Sequence, residues 1–195
     1  MTSRRTILLA TLVALLQIGF LGWTILGRAA VLQEGREVVL KVEPVDPRDF
    51  LRGDYVRLGY EIGRLPPALF VDPSALGRNY SGAPVWVRME RHADGYWRPV
   101  AASIDAPLAA PPAPGQVDLK GRRAETWGAS DVVVQAVMVH YGIERYYVPE
   151  GEGRAIEEGI GVRPFGIVAA VGPDGAPQIK ALMDGDKRLY EEPWY

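Results

Sequence analysis

The sequence predicts a mainly β domain carried behind a single membrane-spanning helix. Three observations lead there. Twenty residues, starting at Ile7 and ending at Leu26, carry no charge. Beyond residue 35, short runs alternate apolar and polar side chains with the period of two that half-buried strands require. Asp-Gly pairs and proline-rich stretches separate those runs, the punctuation of antiparallel hairpins. The expected architecture is an antiparallel sandwich or partly closed barrel with one or two short helices.

Twenty helical residues span about 30 Å, the thickness of a bilayer's hydrocarbon core. Arg4 and Arg5 precede the stretch and Arg28 follows it; Thr11, Gln17 and Thr24 are its polar members. A core helix would show a polar face, and this one has none. A cleaved signal peptide needs a shorter apolar region and a small-x-small exit. Here Gly27-Arg28-Ala29-Ala30 puts an arginine where a small residue is required. The stretch therefore reads as an uncleaved anchor, with the lipid bilayer as the first partner. The positive-inside bias puts the N-terminus in the cytoplasm and the rest outside it, in the periplasm where the cell has an outer membrane. The expected organisation is residues 1–28 as cytoplasmic N-terminus and anchor, and 29–195 as an extracytoplasmic domain.

Along that domain, Val38, Leu40 and Val42 share one face of a first strand, ended by Pro44 and Pro47. Gly53-Asp54 forms a turn. Residues 55–62 then alternate again, with Val56, Leu58, Tyr60 and Ile62 on one face and Tyr55, Arg57 and Glu61 on the other. Pro66-Pro67 opens a loop or short helix, and residues 72–82 are turn-rich. Val85, Val87 and Met89 face Trp97 across Ala93-Asp94-Gly95, a hairpin signal. Residues 103–116 contain four prolines and form an extended surface loop. Residues 117–127 read as a strand pair bent at Gly121, or one bulged strand. Residues 132–141 are apolar on both faces and are expected to form a central strand. After Gly142 the chain stays extended to Val148, and residues 150–158 form a short helix with acids near its start, or one that begins nearer Arg154 because Gly151 and Gly153 weaken the first turn. A second hairpin turns at Gly172-Pro173-Asp174-Gly175, and Asp184-Gly185-Asp186 leads to a last segment through Leu189.

Composition narrows the function. Without Arg4, Arg5 and Arg28, the 22 basic residues fall to 19 against 24 acidic, which argues against a nucleic-acid partner. With no cysteine there are no disulfides, thiolate metal sites or thiol nucleophiles, so packing alone holds the domain.

Gly53-Asp54-Tyr55-Val56-Arg57-Leu58-Gly59-Tyr60 resembles the signature of the GDYXXLXY proteins, matching all five specified positions. The anchor, residues 42–49, residues 141–151 and the closing Ile179-Lys180-Ala181-Leu182 are similar to that family as well. The resemblance implies a small bacterial membrane-anchored protein, met beside multi-spanning membrane proteins, and it implies no activity. On physical grounds the motif is largely structural. Gly53 allows a tight turn, Asp54 bonds its backbone, and Leu58 and Tyr60 pack inward, the Tyr60 hydroxyl needing a buried partner. Tyr55 and Arg57 suit either a structural or a recognition face. A second cluster, Glu144, Arg145, Tyr146, Tyr147 and Glu150, reads either as a binding loop or as a strand-to-helix junction with a surface ion pair.

Catalytic constellations are weak. The Gly53-Asp54 turn is similar to one in signal-peptidase-type serine proteases, yet the nucleophile position falls on Val45 and no lysine base is placed. Ser130-Asp131 reads as a turn, His92 as a loop residue and His140 as a boundary residue. Two histidines on separate elements make a poor zinc site. Glu43, Asp46, Asp49 and Asp54 lack the spacing of a calcium loop. No catalytic residue, metal or cofactor is assigned.

The leading expectation is a non-enzymatic domain that binds or assembles with an integral membrane protein. Tyr55, Tyr146, Tyr147, Trp194 and Tyr195 are its candidate exposed aromatics. The alternative is a carboxylate-based hydrolase or ligand-binding enzyme using Asp54 with Glu144 or Glu150. The signature is expected in the membrane-proximal half of the domain.

Overall fold

The structure, a computed structural model, describes residues 4–44, 55–77, 81–124, 136–149, 151–160 and 162–193. Its elements in chain order are α1 (Arg4–Glu34), β1 (Arg36–Glu43), β2 (Tyr55–Arg57), β3 (Gly59–Tyr60), β4 (Arg64–Leu65), β5 (Pro84–Arg91) and β6 (Trp97–Ile104). They continue with β7 (Gln116–Arg123), β8 (Val137–His140), β9 (Arg145–Tyr147), α2 (Gly153–Ile160), β10 (Phe165–Val171), β11 (Pro177–Asp184) and β12 (Lys187–Glu191).

The helix α1 runs 31 residues, eight beyond Leu26, and so absorbs the first residues assigned to the domain. It is long and apolar enough to cross a membrane, and none of its apolar window is buried. Thr24 Oγ1 donates to the Phe20 carbonyl at 2.9 Å, satisfying a polar side chain within the helix itself. The last turn closes with Gly35 N–H donating to the Val31 carbonyl, and β1 starts at the next residue. Leu32 is buried there, and α1 packs on β10 and β11. Gly35 makes the join possible: a Cβ would collide with the Val31 carbonyl oxygen and press on Ala170.

Two open five-stranded antiparallel sheets, not closed into a barrel, share one hydrophobic core. The first runs β12-β11-β10-β1-β3 and the second β4-β8-β7-β5-β6; a separate ribbon pairs β2 with β9. Inward positions of β1 (Val38, Leu40), β10 (Ile167) and β5 (Val85, Val87, Met89) are fully buried, as the period-two pattern predicts. The β10–β11 turn links the sheets, because Lys120 N–H of β7 donates to the Gly175 carbonyl at 2.8 Å. Gly175 sits at φ +83°, a conformation that favours glycine.

Four expectations need correction. The central strand is β10, whose seven residues are all buried, and not the stretch ending at Tyr141. Within that stretch, β8 lies next to the edge strand β4 and exposes Met138 and His140; residues 132–135 lie outside the described residues. Gly121 neither bends nor bulges β7, which pairs with β5 in unbroken register. It is small for another reason: a Cβ there would lie 2.5 Å from Val139 Cγ1. Residues 55–62 do not form one strand but β2, β3 and a 3-10 turn (Glu61–Gly63), in which Val56, Leu58, Tyr60 and Ile62 are nevertheless all buried. Finally, α2 does not begin at Glu150 but at Gly153, next to the later start at Arg154, so its first turn holds no acid.

Candidate functional site

The two sequence clusters, ninety residues apart, meet in one ribbon. Strands β2 and β9 run antiparallel with Tyr55 opposite Tyr147, Val56 opposite Tyr146 and Arg57 opposite Arg145. Alternation turns Val56 and Tyr146 into the core, while Arg57, Arg145 and Tyr147 face out; Tyr147 is 73% exposed. This corrects the reading of Tyr146 as an exposed aromatic. In a three-residue strand, one position decides the face, and the register gives Tyr146 to the inside. The outer face is cationic and aromatic, a composition enriched at protein interfaces.

Beside the ribbon, the signature is held by reciprocal tyrosine bonds. The Tyr60 hydroxyl donates to the Ile143 carbonyl, and the Tyr141 hydroxyl donates to the Ile62 carbonyl at 2.8 Å. Leu58 N–H donates to the Glu144 carbonyl at 2.9 Å. The Glu144 carboxylate accepts the N–H groups of Tyr141 and Gly142, closing a turn in which Gly142 takes φ +81°. Burial, with the Glu144 charge adding to it, holds the Tyr60 and Tyr141 hydroxyls far above the usual tyrosine range. Burial and then Glu192 and Glu191 push Tyr146 up to about 12.

Gly53, Asp54, Glu150, Trp194 and Tyr195 lie outside the described residues, as do Asp46, Asp49, Ser130 and Asp131, and Tyr55 is described by its backbone alone. Of the carboxylates weighed for catalysis, the described one, Glu144, binds its own backbone. His140 is exposed, with Nδ1 3.8 Å from Glu144, and His92 meets Arg98 on the β5–β6 hairpin. Among the described residues no three His, Asp or Glu side chains gather as a metal-binding group.

The ribbon lies beside the end of β1 remote from α1. Strand β3 pairs with Val42 and Glu43, whereas Arg36 at the other end follows the helix. Six residues of strand separate these ends, about 20 Å. The described part of the signature therefore lies beside the end of β1 remote from α1.

A family model described as GDYXXLXY protein matches residues 17–182. The chain belongs to the GDYXXLXY family. The match takes in the second half of α1 together with the strands from β1 into β11, so helix and domain form one family pattern. Comparison with curated proteins and with solved structures gives no match. In this GDYXXLXY protein the signature residues Leu58 and Tyr60 build the core that carries the ribbon.

Sequence reasoning passed over a third place. The last two turns of α1 and the facing end of the domain enclose a groove of about 890 Å³, lined among others by Ala30, Trp86 and Lys120. Trp86 and Lys120 alternate out of the core on β5 and β7, which in sequence marks them only as surface positions. Their meeting with α1 is a product of the tertiary fold.

Proposed function

We propose that this GDYXXLXY protein is a membrane-anchored extracytoplasmic domain that binds or assembles with an integral membrane protein and performs no reaction of its own. The observation that carries the reading is α1: its apolar run has no polar face and none of that window is buried, and the helix joins β1 through the single residue Gly35. An unburied helix of this kind finds its solvent in lipid, and the domain then works within reach of membrane neighbours. Arg4 and Arg5 favour a cytoplasmic N-terminus. The outer face of the β2–β9 ribbon is the proposed contact surface. It joins two clusters from distant sequence and presents Arg57, Arg145 and Tyr147 outward.

The test is co-purification from membranes in mild detergent after crosslinking, with wild type beside a Tyr55→Ala/Arg57→Ala variant. A multi-spanning protein recovered with wild type, and about tenfold less with the variant, is the expected result; that ratio is about 1.4 kcal/mol. Recovery of wild type as a lone monomer, or equal recovery of every partner by both, overturns the assembly reading. Alkaline carbonate washing tests the anchor separately, since a spanning chain stays with the membrane.

A further inference from the structure

We infer that the groove between α1 and the domain seats the headgroup of a membrane phospholipid carrying a primary ammonium beside its phosphate. The inference rests on α1 spanning the bilayer, as proposed above.

Height comes first. The apolar run ends at Leu26, and the groove wall on α1 is formed by residues from Gly27 to Glu34. At about 1.5 Å per residue, that wall covers the first 12 Å or so beyond the hydrocarbon. A headgroup layer occupies roughly 5–7 Å on each side of the core, so the lower half of the groove stands within it.

The lining has the matching chemistry. Gly27 and Ala30 keep the helix wall low, which leaves the volume open. Across from them, Lys120 Nζ lies 5.5 Å from the centre of the Trp86 ring. Arg36 donates to the Gln116 carbonyl at 2.8 Å and lies over Trp97. Neither cation is ion-paired among the described residues, whereas the neighbouring Arg88 is committed to Asp118. Tryptophan with arginine and lysine is the set that settles at the headgroup level. Two unpaired cations suit a phosphodiester, and Glu34 and Asp174, also in the lining, suit an ammonium. A headgroup with both charges pairs with both sets, whereas choline lacks the N–H donors that carboxylates bind.

The experiment uses the full chain in lipid discs made of equal parts phosphatidylethanolamine and phosphatidylcholine, followed by native mass spectrometry after release. Wild type is expected to retain phosphatidylethanolamine about tenfold over phosphatidylcholine. Ala30→Trp, which fills the groove from an exposed helix position, and Lys120→Glu are each expected to lose that retained lipid about tenfold. Melting curves matching wild type establish that both variants are folded. Release of bare wild type, retention of both lipids in disc proportion, or unchanged retention by the two folded variants overturns the inference. A chain that resists carbonate washing yet retains no lipid sinks this inference alone. A chain stripped by carbonate sinks the anchoring reading beneath it.

Discussion

Tyr60 shows how one residue of the signature serves the fold. Its hydroxyl is buried and its partner, the Ile143 carbonyl, belongs to a segment more than eighty positions away. Tyr60→Phe leaves that carbonyl unpaired and is expected to cost about 1–2 kcal/mol, read as a lower denaturation midpoint without a change in slope. Tyr141→Phe is its mirror, orphaning the Ile62 carbonyl, and the two together should cost more than either. These tyrosines also set an alkaline limit. Unfolded tyrosines release protons near pH 10, while Tyr60, Tyr141 and Tyr146 hold theirs above it. Between about pH 10 and 12 the unfolded chain therefore binds fewer protons than the native one, and stability falls as pH rises. Melting temperature is expected to be flat through pH 9 and to drop above about pH 10, with phenolate absorbance of Tyr60 and Tyr141 appearing only on unfolding. The need of Tyr60 for a buried partner was legible in its place on the apolar face. The partner itself was not, since nothing local to Tyr60 points to Ile143. Tyr146 was misread for a related reason: its face is set by pairing with β2, not by its own neighbours.

At the scale of elements, glycines record where strands press together. Gly121 lies where β7 meets β8, and a methyl there meets Val139 Cγ1 at 2.5 Å and the His140 carbonyl at 2.9 Å. Gly121→Ala is expected to destabilise by about 2–3 kcal/mol, measurable as a lower urea midpoint, because backbone must move to admit it. The sequence offered a bend as the explanation, and a bend and a close approach leave the same mark in sequence. The strand and hairpin pattern was otherwise readable, because one-sided burial writes a period of two. Burial of both faces of β10 was harder to read. The run at residues 132–141 is apolar apart from Gln135 and His140, yet its described strand, β8, is buried on one face only, whereas β10 is buried on both. One element packed on β10 is α1, and its length also outran the expectation: charge at Arg28 ends a membrane span but does not end a helix.

For the whole molecule, the absence of cysteine makes topology easy to test. Ser81→Cys introduces one thiol at an exposed turn. In intact cells or spheroplasts a membrane-impermeant maleimide is expected to label it without lysis. Labelling that needs lysis would reverse the orientation. The fold class and the family were legible because they rest on patterns distributed along the chain. The candidate sites were only half legible. Each cluster was found, but their union in a ribbon, and the groove beside α1, depend on contacts between distant segments. The groove and the ribbon also occupy different ends of β1, so disabling one is expected to leave the other intact. Ala30→Trp should not lower crosslinking to a partner, and Tyr55→Ala/Arg57→Ala should not lower lipid retention.

The one-residue join at Gly35 makes α1 an indexed shaft. Each helical residue turns the chain by about 100°, so the azimuth of the domain relative to any face of the apolar run of α1 is set by a residue count. Where one partner grips both that face and the ribbon, an alanine inserted after Leu26 swings the ribbon aside. Four inserted alanines bring it back within about 40°. Crosslinking yield plotted against insert length would then rise and fall with the helical repeat, and the domain would be read as much by its bearing as by its surface.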